Sequence, residues 1–249
     1  MVSREHREGP LVPGAVNFRD VGGLRAGAAW TRDGVLYRSG NLARLDDAGV
    51  RALGALGIRR IIDLRADDEV LHAPSRIAGL DITTQRVPLF FGSVASFFED
   101  DIGLDEMYRR LVADASSGVV EVVRGIVTDQ PVLVHCTVGK DRTGVTVALT
   151  LAAAGVDEDD VVADYARTER LLPARRNRRI VQALRSAHPD AVHVEDLATR
   201  SPAPVMRALL DSIRDQYGSS GDYLRAHGLT DDEIAELRRV LLIDPSHQA

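Results

Sequence analysis

Residues 131–144, with the sequence PVLVHCTVGKDRTG, constrain the fold of this chain more than any other stretch. They begin with the short apolar run 132–134, which is typical of a buried strand. A polar loop follows, and then an apolar run of helical length, residues 145–154, ends at Gly155. The sequence therefore predicts a loop that joins the carboxyl end of a strand to the beginning of a helix.

This loop has the properties of an anion-binding site. Backbone N–H groups at a helix N-terminus lack intrahelical partners, and the helix dipole favours negative charge beside them. Cys136 begins the loop, so we expect its thiol to ionise readily in this field. Cys136 is the one cysteine of the chain and Lys140 is its one lysine, because every other basic residue counted as Lys or Arg is arginine. Both therefore fall within five residues of each other.

The residue types suit the hydrolysis of phosphate monoesters. A thiolate at Cys136 is a stronger nucleophile than a hydroxyl or a carboxylate. Arg142 can bind two phosphate oxygens at once, which a lysine cannot do. We expect the substrate to contact the loop through Thr137, Val138, Gly139 and Lys140, and Thr143 to donate a hydrogen bond to the sulfur when it leaves.

The run HCTVGKDRTG resembles the phosphate-binding loop of cysteine-dependent phosphatases, and its Gly-Lys-Asp-Arg filling is similar to that of a bacterial group of protein tyrosine phosphatases. Other segments that fit this group are 17–23 (NFRDVGG), 37–39 (YRS), 63–65 (DLR) and the tail 217–242. The resemblance covers most of the chain from about residue 14. It implies a phosphocysteine intermediate, no metal or cofactor, and activity on phosphotyrosine and often on phosphoserine, phosphothreonine and phosphoinositides.

The general acid is harder to assign. Many relatives place an aspartate after a Trp-Pro pair, but here the one tryptophan, Trp30, is followed by threonine and arginine. Resemblance to the Lys-Asp subgroup makes Asp141 the first candidate. Asp63 is the second candidate, because its carboxylate lies at the end of a neighbouring predicted strand. Three aspartates near a Phe-rich segment come third: Asp100, Asp101 and Asp105.

Alternating helix and strand patterns predict an α/β fold with a mainly parallel central sheet and helices on both faces, as in tyrosine phosphatases. A helix is expected from Asp46 to Leu56, a strand over 58–64 and another over 82–89. Residues 30–34 predict a hairpin turn before a strand. Asp63 and Cys136 both fall at strand carboxyl ends, so they could face one cleft. Helices are predicted over residues 107–127, with a break at 116–118, and over 203–216 and 230–242 at the C-terminus.

Three further features keep two interpretations each. Residues 89–98 hold four of the five phenylalanines, which fits either a mobile helical lid over the cleft or a core helix. An arginine cluster fits either a solvated helix face or a dock for anionic lipid heads or phosphopeptides; its members are Arg175, Arg176, Arg178 and Arg179. Arg19 and Arg38 fit solvated strand positions, although the resemblance places them near the site.

The whole chain fits one phosphatase domain over residues 13–245 after a flexible arm, 1–12. A net charge of −6 argues against nucleic-acid binding, and no run of eighteen apolar residues predicts a membrane span. The N-terminus lacks a signal-peptide core and one cysteine allows no internal disulfide, so we expect a cytoplasmic location. Export by a route without a signal peptide stays open.

Two other functions use similar features. A thiol-based arsenate reductase also has a Cys-five-Arg loop, but it normally needs further cysteines. A non-catalytic module that binds phosphoproteins or phosphoinositides could share the fold. An assay with an aryl phosphate, comparing the wild type with Cys136→Ser, separates an enzyme from a binding module.

Overall fold

A computed structural model describes residues 11–89 and 101–243. Its larger sheet has five strands in the spatial order β1 (Arg19–Asp20), β4 (Leu36–Ser39), β7 (Val132–His135), β5 (Arg60–Asp63) and β6 (Thr83–Arg86). Strand β1 runs antiparallel to β4, and the other pairs are parallel. The predicted mainly parallel sheet is confirmed.

A second, smaller sheet pairs residues 25–31 with residues 242–243. It contains β2 (Arg25–Ala26), β3 (Ala29–Thr31) and β8 (Leu242–Ile243), all antiparallel. Trp30 is therefore part of a strand, and the turn before β4 covers residues 33–35 instead of beginning at Trp30. The sequence pattern did not show β8, because a two-residue strand is defined only by its long-range pairing with β3.

The described residues form eleven helices: α1 (Asp47–Ala55), α2 (Asp67–His72), α3 (Leu104–Asp114), α4 (Ser116–Thr128), α5 (Asp141–Ala154), α6 (Glu158–Leu171), α7 (Ala174–Ala187), α8 (Val194–Thr199), α9 (Ala203–Tyr217), α10 (Ser220–Ala226) and α11 (Asp231–Leu241). Within the described ranges, none of these helices is long and apolar enough to cross a bilayer.

Helices cover both faces of the larger sheet, as predicted. Ile61 and Leu133 point to the face that α1 covers, where they pack in one cluster with Leu53. Ile62 and Val134 point to the opposite face and belong to a larger cluster with residues from α3 to α6 and α9 to α11. This alternation follows from the period of two along a strand. Val12 is fully buried in the α1 cluster and Leu11 packs against it, so the packed part of the chain includes these two residues of the predicted arm.

The boundaries of two helical regions bear on the site. A break between α3 and α4 exists, but it lies at Ala115, and residues 116–118, where it was predicted, form the first turn of α4. Helix α5 begins at Asp141, four residues before its apolar run, so Arg142 and Thr143 lie in its first turn. It ends at Gly155, whose φ of 98° is the left-handed conformation that glycine adopts at helix ends. The predicted lid lies almost wholly outside the described residues, apart from the buried Leu89.

Candidate active site

The carboxyl ends of three parallel strands meet at one edge of the sheet. The register pairs His135 of β7 with Ser39 of β4 and with Asp63 of β5. Cys136 follows His135 directly, so the nucleophile candidate leaves the sheet between these two neighbouring strand ends. Ligands of open parallel sheets bind at such an edge.

The carbonyl groups of the phosphate-binding loop (residues 136–142) are held from outside. The Thr137 carbonyl accepts hydrogen bonds from the backbone N and side-chain Nδ2 of Asn41, each at 3.1 Å. Asn17 Nδ2 donates to the carbonyls of Val138, at 3.3 Å, and Gly139, at 2.8 Å. A trans peptide is planar, so its N–H points opposite to its carbonyl. The outward carbonyls therefore turn the following N–H groups toward the concave side of the loop, which we call the cradle.

Gly139 is the tightest point of the loop. Its φ is 73°, and a Cβ at this position would lie 2.3 Å from the Ser39 carbonyl oxygen and 2.7 Å from Gly40 N. Only glycine fits such a position. Its own N–H donates to Cys136 Sγ at 3.3 Å, and Cys136 is 3% exposed. The sulfur therefore lies at the bottom of the cradle beside a backbone donor.

Arg142 is held by a carboxylate that the sequence analysis did not single out. Its Nη1 lies 2.5 Å from Glu69 Oε2, and its Nη2 lies 2.8 Å from Glu69 Oε1. Further contacts join Nη1 to the Leu64 carbonyl at 3.4 Å and Nη2 to Thr137 Oγ1 at 3.2 Å. Thr137 Oγ1 also donates to Glu69 Oε1. This two-pronged pair fixes the plane of the guanidinium group.

The charges of this pair stabilise each other. Burial raises the pKa of Glu69, but the hydrogen bond and charge of Arg142 outweigh it and lower that pKa to about 2. Burial lowers the pKa of Arg142, but the hydrogen bond and charge of Glu69 outweigh it and raise that pKa above its ordinary value. Both side chains therefore remain ionised across the neutral range.

Asp141, in the first turn of α5, is held by its Oδ1 atom. Tyr108 OH donates to this oxygen at 2.9 Å and lies 2.8 Å from Tyr165 OH. The ammonium of Lys140, 1% exposed, lies 2.6 Å from the same oxygen, although it is not aligned as a hydrogen bond. Burial, followed by the charge of Asp141, raises the pKa of Tyr108 well above its usual value, so this phenol stays a proton donor. Among the described residues, none forms a hydrogen bond or ion pair with Oδ2 of this carboxyl group.

Asp63 is committed to another arginine. Its Oδ2 lies 2.7 Å from Arg65 Nη2, its Oδ1 lies 2.9 Å from Arg65 Nε, and the side chain is buried. Burial raises the pKa of Asp63, but Arg65 and His135 reverse this and leave it lowered. His135 Nε2 lies 3.7 Å from Asp63 Oδ2, and burial lowers the pKa of that imidazole despite the nearby carboxylate. Asp63 thus links Arg65 and His135, and these contacts hold the carboxyl ends of β5 and β7 together beneath the loop.

The remaining predicted residues fall in different places. Thr143 is fully buried, and its Oγ1 has no hydrogen-bond partner among the described residues. Asp101 accepts from the N–H groups of Val192 and His193, at 2.8 and 3.1 Å, just before α8. Asp105 is paired with Arg109 at 3.1 Å on the surface. Asp100 lies outside the described residues.

The arginine cluster on α7 divides into two parts. Arg176 is partly buried, and its pKa is lowered by burial and by the charge of Arg44, while Asp141 opposes the shift. Its Nη1 donates to Asn177 Oδ1 at 3.1 Å. The other members are exposed on the same helix: Arg175, Arg178 and Arg179.

Arg19 and Arg38 are not solvated strand residues, so that expectation was wrong. They are 4% and 1% exposed, and both pair with Asp164 of α6 at 2.7 Å. The strand pattern could not show this, because Asp164 is remote in sequence and meets the two arginines only in the fold.

The fold and the loop together define a class of protein. A parallel sheet delivers a cysteine to the bottom of an N–H-lined cradle, and a fixed arginine follows at the beginning of a helix. This is the arrangement of cysteine-dependent phosphatases, which hydrolyse phosphate monoesters.

Comparisons with known proteins identify the family. The profile described as "Tyrosine phosphatase family" matches residues 10–243. The chain is 33% identical to the triple specificity protein phosphatase PtpB of Mycobacterium tuberculosis, over 93% of this chain and 98% of that protein. It is 32% identical to a tyrosine-protein phosphatase of Nostoc commune, over 81% of this chain and 72% of that protein. The chain therefore belongs to the tyrosine phosphatase family.

Among solved structures, one similar chain is the core catalytic domain of the PP-IP phosphatase SIW14 from S. cerevisiae. It has 18% sequence identity and a TM-score of 0.40, and the match covers 63% of this chain and 78% of that chain. Similarity at this level supports no correspondence between individual residues.

Proposed function

We propose that this phosphatase acts through Cys136 in two steps. The Cys136 thiolate attacks the phosphorus atom of a bound monoester, the S–P bond forms, and the bond from phosphorus to the leaving oxygen breaks. Arg142 and the N–H groups of the loop bind the other oxygens and match the charge of the transition state. Water then attacks the phosphocysteine, the S–P bond breaks, and the thiolate and inorganic phosphate are released. Thr143 Oγ1 donates a hydrogen bond to the sulfur as it leaves.

We assign the general acid to Asp141. Its protonated carboxyl gives a proton to the leaving oxygen in the first step, and its carboxylate takes a proton from water in the second. The contacts with Tyr108 and Lys140 on Oδ1 support this role, since they fix the group and leave Oδ2 for the proton. Asp63 is less suited, because Arg65 contacts both of its oxygens. We assign Asp63 to positioning instead.

One observation supports this proposal above the others. The Gly139 N–H donates to Cys136 Sγ, while Arg142 stands at the other end of the same loop with its plane fixed by Glu69. The chain has one cysteine, so it offers no second thiol to resolve a disulfide, and arsenate reduction is disfavoured.

The direct test is turnover of an aryl phosphate by the wild type and by Cys136→Ser. The proposal expects a loss of about a thousandfold or more, while both proteins still bind orthovanadate or phosphate. Turnover that survives the substitution would overturn it. Binding of phosphate without any turnover in the wild type would favour the non-catalytic module.

We further propose that the substrates include phosphotyrosine, phosphoserine and phosphothreonine in proteins, and phosphoinositides. The name of the M. tuberculosis relative, a triple specificity phosphatase, supports a broad range. Lys140 adds a positive charge to the loop, which favours more anionic substrates. A panel of the four substrate types, assayed together at equal concentrations, decides this; activity on phosphotyrosine alone would refute it.

For its location we propose the cytoplasm, with peripheral contact with anionic lipid through the exposed arginines of α7. Three exposed guanidinium groups on one helix supply the charge for this contact. Co-sedimentation with vesicles that contain phosphatidylserine should weaken when Arg175, Arg178 and Arg179 are changed to glutamine. Equal binding to neutral vesicles would contradict the proposal.

A further inference from the structure

A charged cluster with more positive than negative groups is buried beneath the phosphate-binding loop. Arg19 Nε and Arg38 Nη1 each lie 2.7 Å from a different oxygen of Asp164, and all three side chains are at most 5% exposed. Arg167 approaches the same carboxylate only at 3.9 Å, from a side chain that is 46% exposed. Two buried guanidinium groups thus share one buried carboxylate. Burying charge is costly unless it is compensated, so the excess positive charge calls for another negative group.

The cluster is connected to the loop by hydrogen bonds. Arg38 Nη2 donates to the Gly139 carbonyl at 3.1 Å, which also accepts from Asn17 Nδ2 at 2.8 Å. Arg19 Nη1 donates in turn to the backbone and side-chain oxygens of Asn17. Every buried member of the cluster therefore acts on the same peptide carbonyl, either directly or through one neighbour.

These bonds set the direction of two loop N–H groups. In the peptide between Val138 and Gly139, the carbonyl accepts a hydrogen bond from Asn17 Nδ2 and the N–H donates to Cys136 Sγ. The two groups point in opposite directions in one plane. In the next peptide, between Gly139 and Lys140, the carbonyl accepts hydrogen bonds from Arg38 and Asn17. The N–H of Lys140 therefore points the opposite way, toward the cradle. A rotation of either peptide would replace a donor with an acceptor at the place where an anion binds.

The backbone of Asn17 and of Gly144 lies close to this arrangement. Asn17 adopts a φ of 58°, which is unusual for a residue with a side chain and places its amide against the loop. Gly144 has no side chain; a Cβ there would crowd the Tyr165 ring at 3.1 Å and would lie in ordinary contact, at 3.4 Å, with Arg38 Nη2. The Arg38 guanidinium therefore lies against α5 on one side and donates to the Gly139 carbonyl on the other.

Charged groups surround Cys136 from several elements. Burial and the charge of Arg19 lower the pKa of Arg38 to about 10, while Asp164 opposes the shift. Arg38 therefore remains charged at neutral pH, and it contacts the carbonyl of Gly139, whose N–H contacts Cys136 Sγ. The other charged or titratable groups at the loop are Arg142, Lys140, His135, Asp63, Asp141 and Glu69. Each carboxylate among them contacts a basic side chain: Glu69 contacts Arg142, Asp63 contacts Arg65, and Asp141 contacts Lys140.

We propose that Arg38, braced by Asp164, is a positioning residue for the nucleophile. It turns the 139–140 peptide so that the Lys140 N–H faces the cradle, and it places a positive charge on the carbonyl of Gly139, the residue whose N–H contacts Cys136 Sγ. The inference rests on the proposed role of Cys136 as the nucleophile. It gives the 17–19 and 37–39 segments a chemical task, which is to shape and charge the loop from outside.

The test uses the one thiol of the chain as its own reporter. The rate of Cys136 alkylation by iodoacetamide is followed against pH in the wild type and in Arg38→Met, Arg38→Lys and Arg65→Met, and orthovanadate binding is measured beside it. Arg38→Met should move the half-maximal pH of alkylation upward by about one unit, which is about a tenfold slower reaction at mildly acidic pH. Arg38→Lys should keep the wild-type alkylation profile yet bind orthovanadate less tightly, because lysine lacks the planar fork.

The Arg65→Met variant is the matched control, because it also removes a buried, carboxylate-paired arginine but not one that contacts the loop carbonyls. Its alkylation profile should match the wild type. If Arg38→Met does not fold by circular dichroism, Arg38→Lys and Asn17→Gly decide the matter: both should weaken orthovanadate binding with alkylation little changed.

The proposal is overturned if the Arg38 variants keep both the alkylation profile and the orthovanadate affinity, or if Arg65→Met shifts alkylation as much as Arg38→Met. Neither readout requires turnover. Failure here would therefore leave the Cys136 mechanism standing, whereas survival of activity in Cys136→Ser would remove that mechanism whatever the Arg38 variants do.

Discussion

The carboxylate of Glu69 meets the guanidinium of Arg142 end-on, with one oxygen 2.5 Å from Nη1 and the other 2.8 Å from Nη2. A guanidinium group has five N–H donors, and this fork uses two of them. The Leu64 carbonyl and Thr137 Oγ1 take one contact from each terminal nitrogen. No described residue accepts a hydrogen bond from Nε of Arg142. A phosphate that binds along the Nε–Nη2 side must therefore displace Thr137 Oγ1 from Nη2, but it leaves Glu69 in place on the Nη1–Nη2 side.

Glu69→Gln should therefore weaken catalysis without removing it. The amide keeps the shape of the side chain but loses the charge-assisted fork, so the guanidinium plane is no longer fixed. We expect kcat/KM for an aryl phosphate to fall by roughly ten- to a hundredfold, a typical effect of misplacing a reacting group. Steady-state kinetics at neutral pH measure this.

Glu233→Gln provides the control for that variant. Glu233 also pairs with an arginine, Arg124, at 2.7 Å, and the hydrogen bond from that arginine lowers its pKa to about 2, but it lies at the beginning of α11. Its substitution should leave kcat/KM near the wild-type value. Tighter phosphate binding in Glu69→Gln would show that Glu69 competes with substrate instead of orienting Arg142.

The same carboxylate should make stability sensitive to acid. Its pKa is lowered from 4.5 in the unfolded chain to about 2 in the fold. Above pH 4.5 Glu69 is ionised in the folded and in the unfolded protein, and its pair with Arg142 stabilises the fold in full. As the pH falls from 4.5 toward about 2, Glu69 of the unfolded chain takes up a proton first, so the unfolded state is favoured and stability is lost.

Urea unfolding at about pH 7 and about pH 3.5 tests this sign. The loss of unfolding free energy between the two conditions should be smaller in Glu69→Gln than in the wild type. Glu236→Gln serves as the comparison, because its partner Arg239 is 72% exposed and surface pairs contribute little. If both variants change the loss of unfolding free energy equally, the pair of Glu69 with Arg142 contributes no more to acid sensitivity than an exposed surface pair.

Asp141→Asn should reveal the general acid through its dependence on the leaving group. An asparagine cannot supply a proton, so hydrolysis of phenyl phosphate should fall by about a hundredfold or more. p-Nitrophenyl phosphate should lose much less, because its leaving oxygen is stable without a proton. The ratio of kcat values for the two substrates is the measurement.

Asp63→Asn is the informative partner of this variant. It leaves the buried Arg65 without its carboxylate, so the protein should unfold more readily, while the ratio between the two substrates stays near the wild-type value. A change of that ratio in Asp63→Asn, and not in Asp141→Asn, would transfer the acid role to Asp63.

Lys140→Met separates two roles of the buried ammonium. If the charge also serves anionic substrates, turnover of a phosphoinositide should fall several times more than that of phosphotyrosine. An equal loss on every substrate would restrict Lys140 to holding Asp141, which it contacts at 2.6 Å. The substrate panel is run on both proteins in parallel.

The sequence predicted those parts of the molecule that are defined by local patterns. The apolar run of β7, the loop with Cys136 and Arg142, and the helix that ends at Gly155 are contiguous, and their order alone indicates the anion site. The alternation of helices and strands likewise indicated the parallel sheet with helices on both faces.

What the sequence could not show depends on residues that meet only in the fold. Glu69 lies in a polar stretch that predicts a surface loop, and nothing local to it points to Arg142. Asp164 lies on a charged helix face, yet it binds Arg19 and Arg38 in the interior. A carboxylate three residues into a short helix after a strand end, as Glu69 is, could have been marked as facing the same edge of the sheet.

The most direct measurement is to trap the intermediate. Asp141→Asn is mixed with p-nitrophenyl phosphate, quenched in denaturant within the first turnovers, digested and examined by mass spectrometry. The account expects a phosphoryl group on the peptide that contains Cys136, and none when Cys136 is also changed to serine. Release of nitrophenol with Cys136 unmodified throughout, or with the phosphoryl group on another residue, would contradict it.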